Sequence, residues 1–118
     1  MKYWNHRNEN ELNEEIVFCA DDRESCEHYG PVCRVFDTDS ARLDDGTAVK
    51  MAMDFYQVDE DEAKKTIYPE RVVSYAGAWD DIEFINYLYD NNYFSDFDAI
   101  ETGDGAIVFD ASLMTIVK

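Results

Sequence analysis

A chain of 118 residues is long enough to bury a core without metal or disulfide staples, and its length suits one domain. Ten Lys and Arg stand against 27 Asp and Glu, a net charge of −17 that argues against direct binding of DNA or RNA and against an anionic membrane surface. Aromatic residues make up 14%, too many for a disordered acidic tail.

The opening run Lys2-Tyr3-Trp4-Asn5-His6 reads as an edge strand, and the Asn- and Glu-rich residues up to 15 read as a loop. This polar start carries no leader pattern, and no apolar run reaches membrane length, so the expected compartment is the cytoplasm. Residues 16–20, Ile-Val-Phe-Cys-Ala, predict a short strand that stops at the pair Asp21-Asp22. Asp21 is placed to cap a helix over 21–29, with Glu24 closing a capping box and Gly30-Pro31 ending it. Residues 32–36 alternate apolar and polar as a strand does.

A polar loop over 38–46 turns at Asp44-Asp45-Gly46. Residues 47–58 then predict a helix, with Val49, Met53 and Tyr56 on one stripe and Ala52 and Phe55 beside it. A second, acidic helix covers 59–68 and stops at Pro69. Residues 72–78 read either as a short strand or as a connection. Asp80, with Glu83 at the box position, caps a helix over 80–91 whose expected inner stripe is Ile82, Ile85, Leu88 and Tyr89. Strands follow over 97–102, 106–109 and 113–117, the first two joined by the hairpin turn Gly103-Asp104-Gly105. The pattern predicts an α+β fold, a single small domain over 1–118 with strands toward both ends and helices in the middle.

Cys19, Cys26 and Cys33 form an odd set at seven-residue spacing, unlike a disulfide framework. Cys26, His28 and Cys33 do not show a recurring zinc spacing, so no metal is expected and the three thiols read as small core residues.

Two segments carry chemistry. The strand Val17-Phe18-Cys19-Ala20-Asp21 followed by Tyr29, and the run Gly105-Ala106-Ile107-Val108-Phe109-Asp110, resemble two of the three signature stretches of ADP-ribosyltransferases, of the poly(ADP-ribose)-polymerase and diphtheria-toxin branch. The order of elements is similar to a small phage-type branch that includes type I-F anti-CRISPR members. The resemblance implies a split β-sheet core with helices packed around it, and NAD as the substrate.

Cleaving the nicotinamide–ribose bond develops positive charge on the sugar. A site therefore needs a fixed carboxylate beside the ribose, aromatic faces for the nicotinamide and a group that orients the other ribose. On the resemblance, His6 stands for the family's histidine and orients ribose, although His-Gly-Thr or His-Gly-Ser becomes His6-Arg7-Asn8. Phe18 stands for the first tyrosine, without its hydroxyl, and Tyr29 for the second. The family's glutamate position falls on Gly105, and Asp104 beside it is the candidate substitute. Glu101 is expected on the other strand face, with Ala106 and Val108.

Two functions follow from this. One is NAD-dependent ADP-ribosylation that disables a basic, nucleic-acid-handling host protein, as in CRISPR-Cas-like defence. The other is a non-enzymatic acidic inhibitor, or an immunity or antitoxin protein, that blocks a basic groove by mimicking nucleic acid. Both leave the oligomeric state open.

Overall fold

The computed structural model describes residues 1–12, 16–68, 77–103 and 105–117. They form helices and one six-stranded antiparallel sheet, an α+β arrangement, in two compact units: Met1–Leu43 with Phe97–Lys118, and Asp44–Asp96.

The first unit holds the sheet. Its strands are β1 (Lys2–Arg7), β2 (Val17–Ala20), β3 (Val32–Asp37), β4 (Ala99–Glu101), β5 (Gly105–Val108) and β6 (Thr115–Val117), in the order β4-β5-β2-β1-β3-β6. The predicted edge strand at the start of the chain is thus a central one. Polar Asn5 and His6 disguise it, because both are buried and find their partners only through tertiary contacts. One face of the sheet packs Tyr3, Val17, Cys19, Phe36, Ala99, Ala106 and Val108 into a core. Tyr3 donates to Glu101 Oε2 at 2.5 Å, although β2 and β5 lie between their strands. That reach requires the sheet to curl over this face.

The β1–β3 ladder runs over six residue pairs and the β2–β5 ladder over four, whereas among the described residues β1 and β2 meet in register only at Trp4 and Ala20. The sheet is therefore two well-paired halves, β6-β3-β1 and β2-β5-β4, joined at one rung. Where the backbone ladder stops, the Asn5 side-chain amide donates to the Phe18 carbonyl at 3.1 Å.

The helix expected over 21–29 is instead a 3₁₀ segment, Glu24–Tyr29. Asp22, not Asp21, closes its first turn by accepting from the Ser25 amide at 2.8 Å and hydroxyl at 2.6 Å. Only Cys26 is buried along it, so no apolar stripe exists to hold an α-helix against the sheet. β4 and β6 are shorter than expected, β5 keeps its expected length but starts one residue earlier at Gly105, and Ala111–Leu113 is a 3₁₀ turn capped by Asp110. All three cysteines are free and buried, as the sequence leads one to expect.

The second unit contains α1 (Thr47–Tyr56), α2 (Glu60–Ile67), α3 (Ile82–Asp90) and the single turn α4 (Tyr93–Asp96). Most of the ambiguous segment over 72–78 lies outside the described residues, and from Gly77 the chain forms a 3₁₀ turn to Asp80. The cap of α3 is Asp81 rather than Asp80, accepting from the Glu83 and Phe84 amides at 3.0 and 3.3 Å. The inner stripe is only in part the expected one, Leu88 facing in and Ile85 half-buried. Phe84 and Leu88 are buried, whereas Ile82 and Tyr89 are exposed. The aromatic cluster of Phe55, Tyr56, Phe84 and Tyr87 selects this helix phase, because only Phe84 and Leu88 recur four residues apart on its side.

Carboxylates in this unit are held by tyrosine hydroxyls. Tyr56 donates to Asp81 at 2.5 Å, Tyr87 to Asp54 at 3.0 Å and Tyr93 to Asp44 at 3.0 Å. Burial, reinforced by these carboxylates, raises the Tyr56 and Tyr93 hydroxyls well above the ordinary tyrosine range. The Tyr56 hydrogen bond in turn holds Asp81 below the ordinary aspartate range. A lowered carboxyl contributes stability above its unfolded pKa, and that contribution disappears as pH falls through the lowered folded value. Tyr56→Phe is expected to cost about 0.5–1 kcal/mol at neutral pH, read from urea unfolding. The stability difference from wild type should shrink as pH falls below the ordinary aspartate range and Asp81 takes up its proton in the folded protein.

Candidate functional site

The two halves of the sheet part beside Trp4 and Ala20, and of the residues singled out by sequence His6 and Phe18 share one face there. Strand alternation places Trp4 and His6 on one face of β1, and the Trp4–Ala20 register places Phe18 and Ala20 on that same face of β2. The β2–β5 register, Phe18 opposite Ile107 and Ala20 opposite Gly105, carries the face onto β5. The two stretches that bear the resemblance thus lie on the adjacent strands β2 and β5, with His6 on β1 beside β2, although His6 and Gly105 are 99 residues apart in the chain.

His6 is only 5% exposed. Its Nδ1 lies 2.8 Å from the Gly30 carbonyl, which can only accept, so Nδ1 carries a proton. In the neutral ring this leaves Nε2 as an acceptor, and among the described residues the buried Nε2 has no hydrogen-bond partner. Gly30 is required at that contact, because a Cβ there would overlap the Arg7 carbonyl. Tyr29 precedes it and is 55% exposed, with its ring 4.0 Å from that of His28 and under the Arg7 guanidinium at 5.7 Å. Phe18 is 36% exposed. The site therefore combines a buried, tautomer-fixed acceptor with two accessible aromatic side chains.

The carboxylates divide. Glu101 pairs in register with Ala106, on the face away from His6 and Phe18, and is engaged by Tyr3. Burial first, then Glu101, raises the Tyr3 hydroxyl far above the ordinary tyrosine range, so this pair shares its proton from the tyrosine side. Asp104 lies outside the described residues. At Gly105 any Cβ would overlap the Cys19 carbonyl, so the strand pair leaves no room for a side chain of any kind.

Asn5 and Arg34 escaped the sequence reading. Arg34 is buried and donates from Nε and Nη2 to Asn5 Oδ1 at 3.0 and 2.7 Å, while Nη1 reaches the Leu12 carbonyl at 3.5 Å. The sign was present: in residues 32–36 Arg34 shares strand parity with Phe36, a core residue. An arginine at apolar parity calls for a buried acceptor, and Asn5 opposite it supplies one.

Gly105→Ala is expected to lower stability by about 1–3 kcal/mol, because the added methyl forces β5 away from β2. Gly103→Ala meets nothing within 4 Å and is the control, expected near wild type in the same denaturant titration. Equal midpoints for the two variants would show that β2 and β5 do not approach this closely.

Among the described residues no group of three or more His, Cys, Asp or Glu is arranged to hold a metal ion, and no helix is long and apolar enough to cross a membrane. Comparison with protein-family models, with curated proteins and with solved structures finds no match to this chain.

Proposed function

We propose that this chain is an ADP-ribosyltransferase-like protein that takes NAD on the face shared by His6 and Phe18. Its target is a basic, nucleic-acid-handling host protein, in the manner of phage-type inhibitors of CRISPR-Cas-like defence. The observation that carries the reading is the placement of the two resembling stretches on the adjacent strands β2 and β5, with His6 on β1 beside β2 at the point where the sheet divides. The one-rung join between its halves is in keeping with a split-sheet core.

In this reading His6 Nε2 accepts a hydrogen bond from a ribose hydroxyl, which removes the cost of an unsatisfied buried acceptor. Phe18 and Tyr29 offer ring faces to the nicotinamide. Asp104 steadies the positive charge that grows on the reacting ribose as nicotinamide leaves. The net charge of −17 speeds encounter with a basic target.

A second reading has one observation in its favour. Gly105 has no room for the family's glutamate, so the same scaffold also suits an inhibitor that only binds and covers a basic groove with acidic surface.

The two are separated by incubating the protein and its co-purified host partner with and without NAD, then weighing the partner. An added ADP-ribose supports the transferase. A bare complex that weakens steeply with salt supports the inhibitor. For the transferase, Asp104→Asn is expected to lower transfer roughly a hundredfold with NAD affinity nearly unchanged. His6→Ala should weaken NAD binding itself, and Glu101→Gln should alter neither. Absence of both NAD binding and nicotinamide release, with the partner present, retires the transferase reading.

A further inference from the structure

The unit Asp44–Asp96 carries a surface that the NAD reading does not use. Phe84 and Leu88 turn inward from α3, while Ile82 and Tyr89, seven residues apart and so on one side of the helix, are 70% and 57% exposed. The Tyr89 ring packs on Phe94 with centroids 4.6 Å apart, which holds it in place on the surface. Glu83 and Asp90, likewise seven apart and exposed, run alongside this stripe. From residue 72 to residue 96 the chain has five Asp and Glu and no Lys, Arg or His. The nearest lysines in sequence, Lys64 and Lys65, are paired with Glu60 and Glu62 on α2.

We infer that this face of α3 is a docking surface for a basic amphipathic segment of a partner protein, with apolar side chains on Ile82 and Tyr89 and Lys or Arg beside Glu83 and Asp90. An aliphatic and an aromatic anchor with a charged rim is the arrangement that concentrates binding energy at the centre and selectivity at the edge. Charge complementarity chooses the occupant. A second copy of the chain would bring a further −17 against an already acidic face, and nucleic acid or an anionic bilayer is repelled in the same way. The inference goes beyond the proposed NAD chemistry and stands or falls independently of it.

The test is fluorescence anisotropy of a labelled amphipathic Leu/Lys peptide titrated with the whole protein. Ile82→Ser combined with Tyr89→Ser should weaken binding about tenfold or more. Ile116→Ser, an exposed apolar residue on β6 of the other unit, should leave it unchanged. Glu83→Gln with Asp90→Asn should slow association and flatten the salt dependence. Ile82→Ser alone repeats the test without touching the Tyr89–Phe94 contact, and thermal melts confirm that each variant is folded. Wild-type affinity in the folded double serine variant, or in Ile82→Ser, overturns the proposal by showing that charge alone attracts the peptide. Self-association of the wild type that the double variant abolishes also overturns it, by assigning the face to a second copy.

Discussion

Beside their single backbone rung, the two halves of the sheet are joined by side chains, Tyr3 reaching Glu101 and, next to the rung itself, Asn5. Its Oδ1 receives two hydrogen bonds from the buried Arg34 guanidinium, and its Nδ2 donates to the Phe18 carbonyl on the other half. A buried arginine without acceptors is costly by several kcal/mol, so the pair is held strongly once formed. Its consequence is positional. His6 follows Asn5 on the opposite face of β1, and Phe18 is the residue whose carbonyl Asn5 grips. The bond that fixes the gap between β1 and β2 therefore also fixes the spacing of His6 and Phe18. Rigid strands supported by a fully engaged polar network are better suited to such a task than loops.

The acidic composition is only partly a matter of surface. Asp22, Asp37, Asp44, Asp59, Asp81 and Asp110 each accept a backbone amide at the start of a helix or turn. Asp98 receives both the amide and the guanidinium of Arg42, which hold its carboxyl below the ordinary range. The Thr47 hydroxyl does the same for Asp45. These aspartates shape the chain, and the remaining carboxylates give the field that a partner meets. The distinction bears on mutagenesis, because neutralising a capping aspartate tests the fold and neutralising Glu83 or Asp90 tests recognition.

Short strands were legible wherever apolar parity was plain, as in residues 16–20 and 32–36, and α1 and α2 declared themselves through stripe and cap. What escaped had a tertiary cause. The first strand looked peripheral because Asn5 and His6 are polar, and nothing local announces that Arg34 and Gly30 supply their partners. In helix α3 Leu88 was placed inward correctly, but Ile82 and Tyr89 were preferred to Phe84, because the helix carries large apolar residues on more than one side and its own periodicity does not say which side meets the core. The aromatic cluster, assembled from residues 55 to 87, decided the phase. Of the site, His6 and Phe18 were placed together by pairing that no periodicity encodes. The steric closure at Gly105 belongs to an inter-strand distance.

His6 is the residue whose energetics reach furthest toward function. A histidine kept only to fill space between β1 and the Glu24–Tyr29 segment would need one hydrogen bond, and Nδ1 already makes it to Gly30. The second nitrogen is then a liability, since an unsatisfied buried acceptor costs about 1–3 kcal/mol, and an apolar ring of similar size would avoid that cost. A polar group held in one tautomer and left unpaired is, by contrast, suited to a hydroxyl donor that arrives from outside, for the cost is removed on binding and adds to affinity. The same logic separates the two proposed functions at this residue. A ligand that uses His6 must reach the face where β1 and β2 part, whereas an inhibitor acting through its acidic exterior would leave Nε2 as it stands. Discrimination between them therefore rests on a single buried nitrogen, set at the one place where the sheet divides.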